Sequence, residues 1–497
     1  VKTILLVTRN INKINHGLTQ ALYYRANSFA ERGYEVFLFT ISPSDDFLQL
    51  VEDHYEAGNL NRNVKVFNMF LSNLDGDTTR VKLHTTKYAE RIKDGLTRFP
   101  DKDNPYSYRC FKGGVYTMYE RYNEDLDLRS VDYFKAPWIR TKREIYRAGV
   151  RVRTTYMDEK LNRPNRHVHY HQDGTPSVTR IVNPLTRVEK KYTYHDLDCE
   201  KSDIYELGVV WIQQMTKNIE EPVLFIDSLH TANALIGYEA PNVKKVFVLH
   251  ASHLATPYKN KNKVSAQYNP IFGNVDKLAK FVCLTEDTKE DIVDQFGEPD
   301  KFVVIPHFQD QVTLDDQIQK EEGLVVSLAR YCHQKNLSDS IKAFKKVARE
   351  VPNAKYELYG YGPEEQKLRN LINRYRLQDR VFIKNYAEDP SVALQRAELT
   401  VLSSVYEGFG LAIVESFAYG VPVVSYDCKY GPAEIIRDDV DGLIVPTHDV
   451  DRLAQAMTTL LKDKAKLAQM AQHTSDVFER FDKAKIEKQW LDLLEKL

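Results

Sequence analysis

Residues 406–416 read YEGFGLAIVES, two carboxylates, Glu407 and Glu415, set eight positions apart around a Gly-Phe-Gly turn that runs straight into an apolar helix start. Just upstream, TVLSS at 400–404 is short, β-branched and apolar and ends in small polar residues, the composition of a buried strand. Strand, glycine turn and helix N-terminus in that order gather unpaired backbone N–H groups and the positive end of a helix dipole at one point, which favours a phosphate or another anion. The eight-residue spacing is about two helical turns, so both carboxylates border one site, and ionised carboxylates accept hydrogen bonds from sugar hydroxyls. A Gly-x-Gly taken alone is equally a plain surface turn with one solvated and one capping glutamate.

A second stretch points the same way. LVVSLARYCHQKNLSDSIKAF, at 324–344, opens as an apolar strand and places Arg330 and Lys335 in a loop before an amphipathic helix. Two cations at a strand exit converge on a pyrophosphate, Arg through a planar fork and Lys as a point charge. KYELYGYGPEEQKLRNLI at 355–372 adds another strand, a Gly360-Tyr361-Gly362 turn and a helix. Glu407-Gly408-Phe409-Gly410 followed by Glu415 resembles the Glu-x7-Glu motif of the family 4 retaining glycosyltransferases, which have the GT-B fold. That resemblance implies an α/β chain with two Rossmann-like domains facing a cleft. It also implies roles: Glu407 beside the donor sugar, Glu415 on the ribose hydroxyls, Arg330 and Lys335 on the diphosphate, backbone amides of Gly408, Phe409, Gly410 and Leu411 assisting, and Tyr386 in KNYAEDP beside the nucleobase.

Length and charge fit this reading. A chain of 497 residues exceeds one core and calls for two domains or more. A formal net charge of -1 argues against a nucleic-acid protein defined by bulk basicity. The five cysteines, at 110, 199, 283, 332 and 428, form no CxxC and no metal-ligand spacing, and read as reduced thiols. No apolar run approaches the roughly 18 residues that cross a bilayer, and KTILLVTRN is too short for a signal peptide. The expectation is a soluble cytoplasmic enzyme, with peripheral attachment at the inner face of the cell membrane left open.

Along the chain, residues 2–9 read as a first strand, a loop carries Gly17, a helix runs to Gly33 and YEVFLFT at 34–40 is the next strand. Strands return at PVLFIDS, KKVFVLH and KFVCLTE. The division expected is 1–75 with 206–301 as the N-terminal Rossmann-like acceptor domain, 76–205 as an insertion, 302–475 as the nucleotide-sugar domain, and 476–497 as a helix crossing back to the N-terminal domain. Gly17, without a Cβ, lets the backbone approach a ligand, and the resemblance sets it against the donor phosphates and the acceptor.

The insertion is a different kind of sequence. Short alternating runs such as GGVYTMYERY and IYRAGVRVRTTYMD are separated by turn signals, and HYHQDGTPSVTR reads as a hairpin turning near Asp173-Gly174. An antiparallel sheet inserted in the N-terminal domain follows. Residues 140–192 hold thirteen Lys or Arg against five Asp or Glu, which suits a polyanionic partner; a solvated face of packed tyrosines is the alternative. The layout resembles the branch that glycosylates wall teichoic acid, together with the accessory-secretion enzymes that add GlcNAc to serine-rich adhesins. That branch implies a teichoic acid acceptor and a homotrimer assembled through the insertion.

Two histidines, His250 and His253, follow the strand KKVFVLH in VLHASH. The family places a sugar-contacting His here; His250 is favoured for that contact and His253 is the second choice, assigned to the acceptor. No Asp-x-Asp pair accompanies them, so no metal and no cofactor are expected and UDP-sugar is a substrate. The reaction expected is transfer of glucose from UDP-glucose to poly(glycerol phosphate) with retention, Glu407, His250, Arg330 and Lys335 being the catalytic set. The alternatives are N-acetylglucosamine transfer to poly(ribitol phosphate) or to Ser-rich adhesins, and a degenerate GT-B module that only binds anionic polymer or a partner enzyme. Lys335→Ala is expected to abolish turnover while leaving the melting behaviour nearly unchanged.

Overall fold

The structure is a computed structural model and describes residues 2–12, 17–72, 94–387 and 389–497. Two compact units divide the chain: the first contains Leu22–Lys245 and the opening strand, the second Val246–Leu497 and the start of the first helix.

In the first unit, β1 (Thr3–Thr8), β2 (Glu35–Thr40) and β3 (Val64–Asn68) pair in parallel, and β1 also takes a later strand, Val223–Ile226, on its other side. Runs such as TILLVT and VLFI are almost wholly buried, as strands of a parallel sheet covered on both faces must be. The helix Gly17–Glu31 starts at Gly17 itself, which therefore opens a helix.

Between β3 and that later strand stands a ten-stranded antiparallel sheet built as a meander. Its strands are β4 (Thr97–Pro100), β5 (Ser107–Lys112), β6 (Val115–Tyr122), β7 (Leu128–Ala136), β8 (Ile139–Arg147), β9 (Val150–Asp158), β10 (Arg163–Tyr170), β11 (Pro176–Val182), β12 (Glu189–Tyr194) and β13 (Cys199–Lys201). The expected insertion begins at 76, and its residues 76–93 lie outside the described residues. The hairpin at Asp173-Gly174 forms as read, with His171 N donating to Thr175 O at 2.9 Å and Gly174 at φ +86°. Contacts that fasten the sheet to the loops after β2 and β3 include Arg153 to Asp45 at 2.6 Å, Ser177 Oγ donating to Phe70 O at 2.7 Å, and the Phe70 ring edge-on to His169 at 4.6 Å.

The second unit holds a set of three parallel strands, β15 (Lys244–Val248), β16 (Lys280–Cys283) and β17 (Phe302–Val304), the strand Val223–Ile226 being β14. It also holds a six-stranded parallel sheet of β18 (Leu324–Leu328), β19 (Lys355–Tyr359), β20 (Val381–Lys384), β21 (Leu399–Leu402), β22 (Val423–Asp427) and β23 (Gly442–Pro446) in the order β20-β19-β18-β21-β22-β23. Its core packs Phe344, Tyr356, Leu358, Leu368, Leu399, Val424 and Leu460, all buried, each contributing about 1.5–3 kcal/mol for a Leu- or Phe-sized side chain. One boundary differs from the expectation. Phe302–Val304 pairs with β16, so it closes the three-strand set, and the six-stranded sheet begins only at Leu324. The last helix, Lys483–Glu495, is capped by the Asp482 carboxylate, and the stretch leading into it bonds residues 309–310, through Gln309 N to Phe481 O at 2.9 Å and Lys483 to Asp310 at 3.0 Å.

Candidate active site

Sheet order decides where the site lies. From β18 the chain adds β19 and β20 on one side, and β21, β22 and β23 on the other. The order reverses between β18 and β21, and the loops leaving their carboxyl ends diverge there and open a crevice. The loop after β18 carries Arg330, Gln334 and Lys335; the loop after β21 carries Glu407 to Leu411.

These loops are stitched together. Val405 N donates to Gln334 O at 2.8 Å, and Ser403 Oγ donates to the carbonyls of Lys335 and Asn336 at 3.0 and 3.1 Å. Lys335 Nζ reaches Glu407 Oε1 at 2.5 Å, with side chains 16% and 7% exposed. Gln334 Nε2 donates to Tyr406 O at 3.1 Å and to Glu407 Oε2 at 3.3 Å, while its Oε1 accepts from Arg330 Nη2 at 3.3 Å. Arg330 is exposed and holds its guanidinium at the open edge. Glu407 is further fixed by its backbone, which exchanges hydrogen bonds with Lys429 O and Tyr430 N, both at 3.0 Å.

Two glycines make the turn possible. A Cβ on Gly408 would stand 2.1 Å from His250 O, so only glycine lets the exit of β15 lie against this loop. Gly410 adopts φ +105° and is the N-cap of the helix Leu411–Ala418, a left-handed position that a side chain would strain. The helix therefore points its N-terminal amides to the place where Lys335 and Arg330 emerge. Gly17 packs beside Leu411, where a Cβ would meet Leu411 Cδ1 at 2.6 Å. Glu415, further along the helix, is half-buried; burial raises its carboxyl above the usual range and the Lys335 ammonium opposes the rise. Lys335 thus acts on both carboxylates of the motif.

The two histidines part company. His250 is half-buried and stacks on His307 at 5.8 Å, and His307 meets the Phe409 ring edge-on at 5.4 Å. His253 is 0% exposed, sandwiched against Tyr430 at 5.7 Å and Phe272 at 5.6 Å, and neither of its ring nitrogens has a hydrogen-bond partner. Burial pulls its pKa down to about 4, Asp291 opposing and Lys429 adding. As placed, His253 offers no surface to an acceptor: it is a neutral packing ring. Tyr386 lies edge-on to Tyr361 at 5.8 Å, and Tyr361 O accepts from Tyr331 N at 2.8 Å, which ties this aromatic pair to the Arg330 loop.

The structure also corrects the expected behaviour of Lys335→Ala. Lys335 is the charge partner of a buried carboxylate, so its removal is expected to cost stability. Gln334 and His307 were not singled out by sequence reasoning. Gln334 adjoins Lys335 in the motif, but its partners lie 72 and 73 positions away, and His307 had no signal beyond a histidine at a strand exit.

Residues 312–476, which carry β18 to β23 and the loops after β18 and β21, match the family described as Glycosyl transferases group 1. The chain carries a group 1 glycosyltransferase domain. The chain is 26% identical over 502 residues to the poly(glycerol-phosphate) alpha-glucosyltransferase of Bacillus subtilis (strain 168), covering 95% of this chain and 72% of that protein. It is 23% identical over 503 residues to the poly(ribitol-phosphate) alpha-N-acetylglucosaminyltransferase of Staphylococcus aureus (strain COL), with 99% of each covered. Its fold matches S. aureus TarM, solved as a variant in complex with fondaparinux, alpha-GlcNAc-glycerol and UDP, with a TM-score of 0.83 at 20% identity over 99% of both chains. The fold is GT-B, with the antiparallel sheet as an addition to it. Among the described residues, no helix is long and apolar enough to cross a membrane.

Proposed function

We propose that this glycosyltransferase moves glucose from UDP-glucose to a hydroxyl of poly(glycerol phosphate) wall teichoic acid, with retention at the anomeric carbon. The observation that supports the reading is the similarity to the B. subtilis poly(glycerol-phosphate) alpha-glucosyltransferase over 95% of this chain and 72% of that protein. The cation excess of residues 140–192 gives a polyanionic acceptor a matching sign.

The site supplies the chemistry as follows. Arg330, Lys335 and the amides at the start of the helix Leu411–Ala418 hold the diphosphate, Glu407 and His250 the sugar, Glu415 the ribose, and Tyr386 with Tyr361 the base. The acceptor hydroxyl attacks C1 on the face the diphosphate leaves, its proton passing to the departing phosphate oxygen as the C1–O bond breaks. No covalent nucleophile and no metal are needed, because fixed cations and a helix terminus stabilise the charge that develops on UDP. When the diphosphate binds, Lys335 exchanges part of its contact with Glu407 for the phosphate, and Glu407 is released toward the sugar hydroxyls.

A second reading, N-acetylglucosamine transfer to poly(ribitol phosphate), is supported by the S. aureus relative. A screen of UDP-glucose and UDP-N-acetylglucosamine against poly(glycerol phosphate) and poly(ribitol phosphate), followed by NMR of the anomeric product, separates the two. Transfer from UDP-glucose to poly(glycerol phosphate) with an α product is the expected result; a β product, or no transfer with that pair, overturns it. The same reading places the enzyme in the cytoplasm, where UDP-sugars are made, working at the inner face of the membrane. It also assembles as a homotrimer through hairpin tips that expose Leu161, Leu185 and Val188 at one end of the sheet. Light scattering of Leu185→Lys, expected to shift the mass toward the monomer, tests that assembly.

A further inference from the structure

Glu407 is fixed from two sides, and one of them leads to charged groups that the transfer chemistry leaves unused. Its backbone N–H donates to Lys429 O and its carbonyl accepts from Tyr430 N, both at 3.0 Å. Gly431 follows at φ +107°, where a Cβ would run into Phe409 O, so residues 429–431 lie directly along residues 407–409. This segment lies just beyond the end of β22. What holds it in place is the helix Glu286–Phe296, which follows β16.

The hold is ionic and centres on a buried carboxylate. Lys429 Nζ reaches Asp287 Oδ1 at 2.6 Å and Asp291 Oδ2 at 2.8 Å. Asp291 is buried, and Tyr430 Oη also donates to its Oδ2 at 3.0 Å. The Tyr430 ring, itself buried, stacks on His253. A few residues on, the Glu434 carboxylate accepts from the N–H groups of Glu286 and Asp287 at 3.0 and 2.8 Å, adding negative charge to the N-terminus of the same helix. A buried carboxylate that takes one ammonium and one hydroxyl fixes both donors, because breaking either contact strands a polar group where water solvates it poorly. Lys429 and Tyr430 are also the residues whose backbone grips Glu407, so the helix and the carboxylate are joined through one dipeptide.

We propose that Lys429 and Asp291 are positioning residues for the transfer: through them the helix Glu286–Phe296 sets where the Glu407 carboxylate stands. This rests on the assignment of Glu407 to the donor sugar made above. Arg330 and Lys335 are carried by the loop after β18, which Ser403 and Val405 hold, so loosening residues 429–431 shifts the carboxylate and leaves the grip on the diphosphate in place. Displacing by about 1 Å a group that must meet a sugar hydroxyl can slow the chemical step by up to about a hundredfold.

The test uses the full chain with Lys429→Met, the double variant Lys429→Met/Asp291→Asn, Lys429→Arg, and Lys261→Met, which removes an exposed ion pair to Asp294 on the same helix. Initial rates are measured with UDP-glucose and poly(glycerol phosphate), and UDP affinity and Tm by calorimetry. Lys429→Met is expected to lower kcat about tenfold while Kd for UDP changes less than about twofold, and to lower Tm because Asp291 is stranded. In the double variant both charges leave together, so Tm recovers while kcat stays low. Lys429→Arg still spans the two carboxylates and keeps at least about half of kcat, and Lys261→Met matches the wild type. A kcat that is unchanged in Lys429→Met, that recovers with Tm in the double variant, or that falls as far in Lys261→Met overturns the proposal. Glu407→Gln, run alongside, keeps the two readings apart. If it turns over at the wild-type rate, or the wild type transfers nothing from UDP-glucose, the assignment of the sugar fails and the anchor is read from melting alone. The non-additivity in Tm of Lys335→Met and Glu407→Gln is then expected to fall by at least about half in the Lys429→Met background, and an undiminished non-additivity overturns the anchor.

Discussion

Lys335 and Glu407 form an ion pair at 2.5 Å with little water access, and the consequence of breaking it can be worked through. Removing one member of a fully buried pair costs about 3–5 kcal/mol, because the remaining charge is stranded in a poorly solvating site. In Lys335→Met the stranded group is Glu407, which keeps one weak donor, Gln334 Nε2 at 3.3 Å. The loss therefore falls at the lower end, about 3 kcal/mol. For a unit of this size that corresponds to a fall in Tm of about 6–12 °C. Glu407→Gln strands an ammonium that reaches solvent more readily, so it costs less, and the double variant recovers much of the difference because both charges leave together. Calorimetric melting of the wild type, both single variants and the double variant measures the coupling directly. UDP is expected to raise the Tm of the wild type and to raise that of Lys335→Met far less, since the phosphate loses its cation. If Lys335→Met melts within about 2 °C of the wild type and the two changes simply add, the pair is not buried as described and the account of the site is wrong.

Three further outcomes follow from the same geometry. His253 contributes stability in full above pH 6.5, where folded and unfolded chains both keep the ring neutral; as the pH falls from 6.5 toward 4 the unfolded chain takes up a proton the folded one refuses, and about 3 kcal/mol is lost, so His253→Phe should flatten the acid limb of the melting-versus-pH curve, and an unshifted limb speaks against the buried neutral ring. Gln334→Ala should lower kcat about tenfold by loosening Glu407 and Arg330, with UDP affinity reduced less than about threefold; equal losses in kcat and UDP binding would show that Gln334 acts on the nucleotide alone. Gly408→Ala should cost at least about tenfold in kcat/KM and several degrees in Tm, as its Cβ would collide with the His250 carbonyl, and a fully active variant would refute that close approach.

Local signals in the chain were strong where one element alone had to be specified. Apolar β-branched runs marked the parallel strands, and the Gly-Phe-Gly turn marked the strand-to-helix junction, because strand period, helix start and a left-handed glycine are properties of a few consecutive residues. The Asp173-Gly174 hairpin was readable for the same reason. Phe302–Val304 was misplaced because its apolar run fits a strand of either sheet, and pairing with β16 is decided by the neighbour it meets.

The sequence by itself determined which chemistry the chain could hold: Glu407, Glu415, Arg330 and Lys335 lie within short motifs whose spacing is set by one strand, one turn and one helix. Only the tertiary structure decided how those groups share charge. Lys335 meets Glu407, Gln334 bridges Arg330 to Glu407, and His253 turns inward to Tyr430. Each of these joins segments far apart in the chain, and which distant segments become neighbours is fixed by sheet order and packing, to which local propensity is blind.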